Sequence, residues 1–257
     1  MLFSAENILK HLTHENLSVE VYDCITSTNT LLKERGHKGA PHGLIVAAKE
    51  QTAGRGRMGR SFFSPSHTGV YFSILLRPSL SPSDALLITT AAAVACARVL
   101  EQVSNKKAEI KWVNDIYIDG KKVCGILTEA SFSHNKIDFA VLGVGVNLTQ
   151  PEDGFPAEIQ NKAGFVFDTT NDDMRGMIIA EIINEFLNIY ETIENKAFIS
   201  EYRRRSMLDG MKIDVIKCDT VTPATALYID QDLSLVVRYD DGKIEHLSSG
   251  DVSIAKQ

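Results

Sequence analysis

Polar and apolar positions follow short, changing periods along the first part of the chain, which is typical of a protein that mixes strands and helices. Residues 18–23 alternate polar with apolar side chains and predict a half-buried strand. The Ser-Thr-Asn sequence at 27–29 predicts the start of a short helix, which we expect Gly36 to end. Further strands are predicted at 43–49 and 69–76, so a long loop must connect them.

The central part of the chain predicts one long, buried helix. The Ser-Pro-Ser-Asp sequence at 81–84 combines a capping serine, a proline in the first turn and an acid three residues later. Apolar residues then cover most sides of the helix as far as about Val103, so we expect it to pack against a sheet. Its most apolar stretch, 85–100, is shorter than the roughly 20 residues that a bilayer requires. We therefore expect no membrane association.

Hairpins and a second helical region follow this helix. A strand is predicted at 108–113, and residues 115–127 predict a hairpin that turns at the Asp-Gly sequence 119–120. A second hairpin is expected to turn near residues 133–135. Helical periodicity then extends over residues 172–205.

The pattern of apolar and polar residues changes after Asp209 and Gly210, where short β-rich runs separated by turn residues begin. Such runs are typical of a small barrel. A unit of this size is near the lower limit for independent stability, so we expect it to pack against the rest of the chain. We therefore predict two domains, residues 1–208 and residues 209–257. The five runs are 211–217, 224–230, 233–239, 243–247 and 251–254.

The loop at residues 51–65, here called the arginine loop, concentrates arginine and glycine. Arginine presents a planar, permanently charged fork that suits carboxylate and phosphate oxygens. Glycine lets the backbone approach a ligand closely. The loop is therefore predicted to wrap an anion. Its arginines are Arg55, Arg57 and Arg60, and its glycines are Gly54, Gly56 and Gly59.

The three glycines also match the Gly-x-Gly-x-x-Gly pattern of dinucleotide-binding folds. That fingerprint needs a helix directly afterwards and an acidic residue about 20 positions on. Residues 61–69 are instead rich in Ser, Pro and His, and residues 74–82 offer no carboxylate, so a Rossmann-type site is excluded. The sequence also lacks a Walker P-loop, a His-Glu-x-x-His motif and a Gly-x-Ser-x-Gly motif.

Composition and charge fit a globular protein with a small anionic ligand. Of the 257 residues, 44% are hydrophobic, and the net charge is −6. This charge argues against broad attraction to nucleic acid or anionic lipid, although positive residues concentrate at 49–60. The cysteines are far apart, so we expect reduced thiols in a cytoplasmic protein. They are Cys24, Cys96, Cys124 and Cys218.

Two polar segments outside the arginine loop could bind a ligand. The helix start at residues 27–29 offers hydroxyls, an amide and free N–H groups to a polar or anionic ligand, but a plain N-cap explains it as well. Residues 114–115, Asn-Asp, could hold Mg²⁺ through oxygen ligands. The turn preference of Asn and Asp is the alternative explanation.

A lysine and two glycines on the predicted hairpins are further candidates. Lys122 lies close to a half-buried sheet face, where it could stabilise charge developing between a carboxylate and a phosphate; otherwise it is a solvated hairpin lysine. Gly143 and Gly145 interrupt a strand. They mark either the close approach of a ligand or a β-bulge.

Taken in order, these segments resemble the biotin–protein ligases, also called biotin–[acetyl-CoA-carboxylase] ligases. The resemblance spans nearly the whole chain and implies an α+β fold. This fold has a mixed β-sheet catalytic domain with flanking helices, of the class II synthetase-like biotin ligase type, and a small C-terminal SH3-like β-barrel. The matching segments are 27–29, 51–65, 111–115, 122–127 and 143–147.

The resemblance also implies an activity and its site residues. Biotin would be activated with ATP and Mg²⁺ to biotinyl-5′-AMP, and the biotinyl group would pass to a lysine of a biotin carboxyl carrier protein domain. Biotin would be held by Ser27, Thr28, Asn29, Gln51, Gly54, Arg55, Lys122, Gly125, Gly143 and Gly145. The nucleotide would be bound by Arg57, Arg60, Lys111, Asn114 and Asn147, and Mg²⁺ by Asn114 and Asp115. The catalytic residues would be Lys122, Arg55, Arg57 and Asp115.

The sequence departs from the family pattern in a few places. Phe62 stands where the family commonly has tryptophan, Val113 where it has proline, and Met58 where a basic residue is frequent. We expect these changes to alter the fit of the ligands more than the chemistry. Only 26 residues precede Ser27, too few for the DNA-binding domain that some relatives carry, so we expect no DNA binding.

Two other functions remain open at this point. A lipoate or octanoate–protein ligase would share the fold, although the Gly-Arg-Gly-Arg and Lys-Trp-x-Asn-Asp sequences favour biotin. A biotin-binding sensor without catalysis is the second alternative, and the presence of Lys122, Asn114 and Asp115 argues against it. Both a monomer and a homodimer are compatible with the sequence.

Overall fold

The computed structural model describes residues 3–134, 136–217, 220–248 and 250–254. The α-helices are α1 (Ala5–Leu9), α2 (Thr28–His37), α3 (Ala85–Ser104), α4 (Asp172–Tyr190) and α5 (Ile199–Arg204). The strands are β1 (Ser18–Ile25), β2 (Leu44–Gln51), β3 (Gly69–Leu76), β4 (Glu109–Lys111), β5 (Asp115–Ile118), β6 (Lys121–Ser133), β7 (Lys136–Asn147), β8 (Lys212–Lys217), β9 (Thr220–Ile229), β10 (Leu235–Tyr239), β11 (Ile244–Leu247) and β12 (Asp251–Ile254).

The strands form two sheets. A seven-stranded mixed sheet has the order β1-β2-β3-β7-β6-β5-β4, and a five-stranded sheet has the order β11-β10-β9-β8-β12. Only the β1–β2 pair is parallel among the described strands of the first sheet. The predicted α+β fold with a separate C-terminal β unit is confirmed.

Helices cover the two faces of the seven-stranded sheet unequally. On one face α3 and α4 pack over the strands and form the main core. On the other face α2 covers a smaller apolar cluster, and beside its N-terminus this face is open to a cleft. The smaller cluster consists of Leu32, Leu44, Val46, Leu75, Phe139 and Val141.

Helix α3 has the length and hydropathy of a membrane span, but 72% of its apolar window is buried inside the protein. It packs against α4, α5 and β6. Its start differs from the prediction, because a 3-10 turn (Pro82–Asp84) comes first and the α-helix begins at Ala85. The Ser81 hydroxyl donates to the Asp84 carboxylate, 2.5 Å away, and caps no backbone N–H.

Other predicted boundaries are also wrong, each for a local reason. Gly36 does not end α2, which continues to His37; a Cβ at Gly36 would lie 2.5 Å from the Phe139 ring, so packing against that ring explains the glycine. The single helical region at 172–205 is two helices, because a left-handed residue, Lys196, follows a 3-10 turn between them. Strand β4 is shorter than predicted, β9 begins earlier, and Asn135 and Cys218 lie outside the described residues.

Candidate functional site

The cleft lies on the α2 side of the seven-stranded sheet, between the sheet and the arginine loop. The open space in it, including the solvent at its mouth, is about 780 Å³. Thirteen of the sixteen residues predicted for the site line it. They are Ser27, Thr28, Asn29, Gln51, Arg55, Arg57, Arg60, Asn114, Asp115, Lys122, Gly125, Gly143 and Gly145.

Strand register brings distant motifs together on the floor of the cleft. Residues paired directly across antiparallel strands share a face of the sheet. Tyr71 pairs with Gly145, Gly145 with Gly125, and Gly125 with Asp115, while Asp115 also pairs with Lys111. One row across five strands therefore carries residues that are up to 74 positions apart in the sequence (Tyr71 to Gly145).

The strand glycines leave room for side chains and form no bulge, because the β3–β7 and β6–β7 pairings are regular through Gly143 and Gly145. A Cβ at Gly143 would lie 1.9 Å from Asn29 Oδ1, and a Cβ at Gly145 would lie 2.5 Å from the Phe62 ring. In this conformation the protein's own Asn29 and Phe62 occupy the space above the two glycines. Phe62 thereby packs the arginine loop against the sheet.

A hydrogen-bonded polar group occupies the end of the cleft nearest α2. The Gln51 side-chain oxygen accepts from the Thr28 backbone N–H at 2.9 Å and lies 3.2 Å from the Thr28 hydroxyl. Ser73 Oγ lies 2.7 Å from Thr28 Oγ1 and 2.6 Å from Asn29 Oδ1. Ser27 is the N-cap residue of α2, but its side chain makes no capping hydrogen bond. This end can hold a polar ligand group through hydroxyls and amides.

The arginine loop folds back on itself, so that its two arms are joined by backbone hydrogen bonds. Phe62 N–H donates to Gly54 O, and Gly56 N–H donates to Arg60 O. A Cβ at Gly54 would lie 2.3 Å from Phe62 O, so any side chain at position 54 would push the two arms apart. Between the arms a 3-10 turn (Arg57–Gly59) carries the arginines toward the cleft, with Met58 in the left-handed region at φ 54°. The helix that a Rossmann motif requires does not follow.

Four cations line the cleft, and each is held by an oxygen of the protein. Arg57 donates to Asn114 Oδ1 at 3.2 Å and to a backbone carbonyl oxygen of the C-terminal sheet region. The other three cations pair with carboxylates. These ion pairs are Arg55–Glu129 at 3.2 Å, Lys122–Asp115 at 2.7 Å, and Arg60–Asp251.

Sequence reasoning missed three residues of this arrangement. Glu129 and Ser73 carry no motif signal, because each is a single polar residue within a strand pattern, and only the register shows that they lie on the cleft side of the sheet. Asp251 lies in the C-terminal sheet, whose docking position no local pattern predicts. It lines the cleft beside Arg60.

Three predicted site residues do not line the cleft. Gly54 holds the arms of the loop together, and Asn147 donates to Gly164 O at 3.1 Å beyond the end of the floor. Lys111 stands next to Asp115 in the sheet. Burial lowers the pKa of Lys111, and the negative charges of Asp115 and Asp251 oppose this shift.

The oxygens predicted to hold Mg²⁺ are both engaged. Asn114 Oδ1 accepts from Arg57, and the Asp115 carboxylate pairs with Lys122. Among the described residues, no group of three or more His, Cys, Asp or Glu could form a metal site. The protein therefore offers single carboxylates, which fits an ion that arrives on a phosphate ligand better than a resident metal.

Comparisons with known proteins identify the family of the chain. Residues 21–147 match the Biotin/lipoate A/B protein ligase family. The biotin–[acetyl-CoA-carboxylase] ligase of Mycobacterium tuberculosis is 30% identical over 197 residues, which cover 74% of this chain and 71% of that protein. The bifunctional ligase/repressor BirA of Bacillus spizizenii is 39% identical over 141 residues, 55% of this chain but only 43% of the relative's length.

A solved structure supports the fold. The biotin protein ligase from Aquifex aeolicus, in complex with biotin and ATP, superposes with a TM-score of 0.72, covers 93% of this chain and 99% of its own, and is 24% identical. At that identity the likeness concerns the fold alone. The family resemblance read from the sequence is confirmed by the Mycobacterium relative, which is matched over more than two thirds of its length. The chain belongs to the biotin–protein ligases, within the biotin/lipoate A/B protein ligase family.

Proposed function

We propose that this protein activates biotin with ATP to biotinyl-5′-AMP and transfers the biotinyl group to a lysine of a biotin carboxyl carrier domain. One observation carries the proposal: a polar pocket at the start of α2 opens directly into a cleft lined by four cations. Biotin is a polar bicyclic ring with a carboxylate tail, and ATP brings a triphosphate. A site that binds both anions side by side needs cations placed in advance.

In the first step, a carboxylate oxygen of biotin attacks the α-phosphorus of ATP. The new C–O–P linkage forms as the bond from the α-phosphorus to the bridging oxygen breaks, and pyrophosphate leaves. Lys122, whose side chain lies beside Gly125 on the floor of the cleft, neutralises the carboxylate and the α-phosphate. Arg57 and Arg60 bind the departing phosphates, and Arg55 holds the biotin carboxylate in line.

Ser27, Thr28, Asn29 and Gln51 would hold the biotin ring by hydrogen bonds, above the floor formed by Gly125, Gly143 and Gly145. Because Phe62 and Asn29 now fill the space over these glycines, ligand entry requires Phe62 to withdraw. Mg²⁺ enters as part of the MgATP substrate and supplies further charge neutralisation on the phosphates. Asp115 is a candidate protein contact of this ion, and Asn114 becomes one when Arg57 leaves it to bind a phosphate. Lys111 and Asn147, which do not line the cleft, would contact the nucleotide from beyond it.

In the second step, the neutral amine of an acceptor lysine attacks the acyl carbon, and AMP leaves. The amine must lose a proton, for which Asp115 is a suitable acceptor because it lies on the floor beside Lys122. The closed arginine loop shields the acyl-adenylate from water. The protein partner is a biotin carboxyl carrier domain of a carboxylase. The reaction would take place in the cytoplasm.

Two measurements test the proposal. The exchange of labelled pyrophosphate into ATP is measured with biotin, lipoate and octanoate in parallel, and biotin alone is expected to support it. A purified carrier domain is then incubated with the enzyme, biotin, ATP and Mg²⁺, and its mass is expected to rise by one biotinyl group. Exchange that depends on lipoate or octanoate would instead make the protein a ligase of that acid. Biotin binding with no exchange would make it a sensor.

A further inference from the structure

Glu129 on β6 contacts two residues of the cleft wall, Asn29 and Arg55, that no sequence motif connects. Its side chain is 15% exposed. One carboxylate oxygen, Oε2, accepts from Asn29 Nδ2 at 3.1 Å, where Asn29 belongs to the first turn of α2. The other oxygen, Oε1, pairs with Arg55 at 3.2 Å and with Lys33 at 3.4 Å. A single carboxylate therefore connects the helix start with the arginine loop.

The connection extends into the polar end of the cleft. The Asn29 amide is fixed on both sides. Its oxygen accepts from the Ser73 hydroxyl, and its nitrogen donates to Glu129 and to Leu127 O. Ser73 in turn contacts Thr28, which contacts Gln51 at the other end of the arginine loop. A continuous chain of polar contacts thus runs around the α2 end of the cleft, and among the residues that the structure describes Glu129 is the one carboxylate in it.

We infer that Glu129 is a positioning residue that holds Arg55 and Asn29 in place for the carboxylic acid substrate. This inference rests on the proposed function, because it assumes that an organic acid binds between these two residues. Arg55 is 44% exposed, so without an anchor its side chain would sample many rotamers. Glu129 removes that freedom before the ligand arrives, while the remaining N–H donors of the guanidinium stay available to a carboxylate.

The inference predicts a selective kinetic effect. The Glu129→Gln variant keeps the size and an accepting oxygen for Asn29 but loses the charge that attracts Arg55. The KM for biotin is expected to rise roughly tenfold, the scale of one charge-assisted contact. The KM for ATP and the kcat are expected to change less than about twofold, because the phosphate-side cations keep their partners. Pyrophosphate exchange and calorimetric titration of biotin measure these values.

A second set of variants separates positioning from a general effect on folding. Glu20→Gln is the matched control, since Glu20 also pairs with an arginine, Arg35, but on the outer strand away from the cleft. It is expected to leave both KM values unchanged. In an Arg55→Ala background, Glu129→Gln should add little to the rise in biotin KM, because the anchored side chain is already gone.

Hydrogen exchange provides a readout that does not depend on turnover. Without ligand, the amides of residues 52–61 should exchange faster in Glu129→Gln than in the wild type or Glu20→Gln. Unchanged loop exchange, equal changes in both KM values, or full additivity with Arg55→Ala would each overturn the inference. If Glu129→Gln does not fold, Glu129→Asp serves instead, since it keeps the charge but withdraws it from Arg55. A wild type that shows no exchange reaction with any acid would refute the proposed function, while faster loop exchange would still establish the anchor.

Discussion

At the scale of single residues, each of the four cations of the cleft has an oxygen partner before any ligand binds. Three of them pair with carboxylates, and Arg57 binds an amide and a backbone carbonyl oxygen. At Arg57, Arg60 and Lys122 a phosphate or carboxylate ligand therefore replaces existing oxygen partners. This exchange keeps each cation paired with an oxygen while the ligand binds. It also means that the binding of one anion frees a protein carboxylate, such as Asp115, for another role.

Lys122 is the cation for which the largest effect on chemistry is expected. Replacing Lys122 with Ala should lower the kcat of biotin-dependent pyrophosphate exchange by about 10²–10³-fold, the usual cost of removing one group that stabilises developing charge. Far-UV circular dichroism should stay unchanged, since the Lys122 side chain is 31% exposed and its ion pair contributes little to stability.

The neighbouring Lys121 provides a matched control for this variant. Its ammonium group donates to Asn161 O at 2.7 Å on the exposed side, away from the cleft. Lys121→Ala should therefore retain full exchange activity. A Lys122→Ala variant as active as Lys121→Ala would remove Lys122 from the proposed chemistry.

The residues that sequence alone could predict were those carried by compact motifs. The arginine loop and the Asn114-Asp115 pair stand out because unusual residue types cluster within a few positions. Glu129 and Asp251 could not be found in this way, because their significance comes from register and from docking of the second sheet. A single acid in a strand pattern has no signature until its cross-strand neighbours are known.

At the scale of elements, a cluster of charged residues ties α3 to α5. Arg98 on α3 binds Glu185 at 3.2 Å and Glu201 on α5 at 2.6 Å. Arg205, just after α5, binds Glu201 and also Glu101 on α3. Glu201 therefore accepts from two guanidinium groups that belong to different segments. These contacts fix the helical layer on the side of the sheet opposite the cleft.

This cluster predicts a dependence of stability on pH. Burial raises the pKa of Glu201, but the hydrogen bonds from Arg98 and Arg205 outweigh it, so the pKa in the folded protein lies below the ordinary 4.5. A depressed carboxyl pKa stabilises the fold fully above the ordinary value, and this contribution is lost as the pH falls through the folded-state pKa.

The Glu201→Gln variant tests that dependence. It should be less stable than the wild type at pH 7, by about 1 kcal/mol because the pair is partly solvated. The difference should shrink as the pH falls below 4.5. Urea unfolding at several pH values measures it, with the exposed Glu194→Gln as a control. A constant difference between pH 7 and pH 3 would contradict the linkage.

The element boundaries show where sequence patterns stop being informative. The Asp119-Gly120 hairpin was predicted correctly, because both residues adopt positive φ angles, 53° and 72°, and few other residue pairs do so readily. The prediction that Gly36 ends a helix was wrong. A glycine is needed at this position because it packs against Phe139, which is more than 100 positions away in the sequence. Local backbone requirements are visible in a sequence, and distant packing requirements are not.

At the scale of the whole molecule, the two sheets share one core. Trp112, which is 4% exposed, donates from Nε1 to Leu233 O at 2.9 Å and so joins the seven-stranded sheet to the five-stranded one. Apolar residues of both sheets belong to one continuous cluster. Arg57 and Arg60 also reach the C-terminal sheet. The division into residues 1–208 and 209–257 remains a prediction about folding units, because the contacts across it are extensive.

The shared core predicts that both sheets unfold together. Trp112 is the only tryptophan of the chain and lies at the junction, so its fluorescence reports separation of the sheets, while far-UV circular dichroism reports loss of secondary structure. In urea the two signals should give the same midpoint. Trp112→Phe should lose about 1–3 kcal/mol of unfolding free energy, because Leu233 O is then buried without a partner. A fluorescence midpoint at clearly lower urea would instead show that the C-terminal sheet detaches first, and the arginine loop, which loses its contacts to that sheet, should then become mobile in the same step.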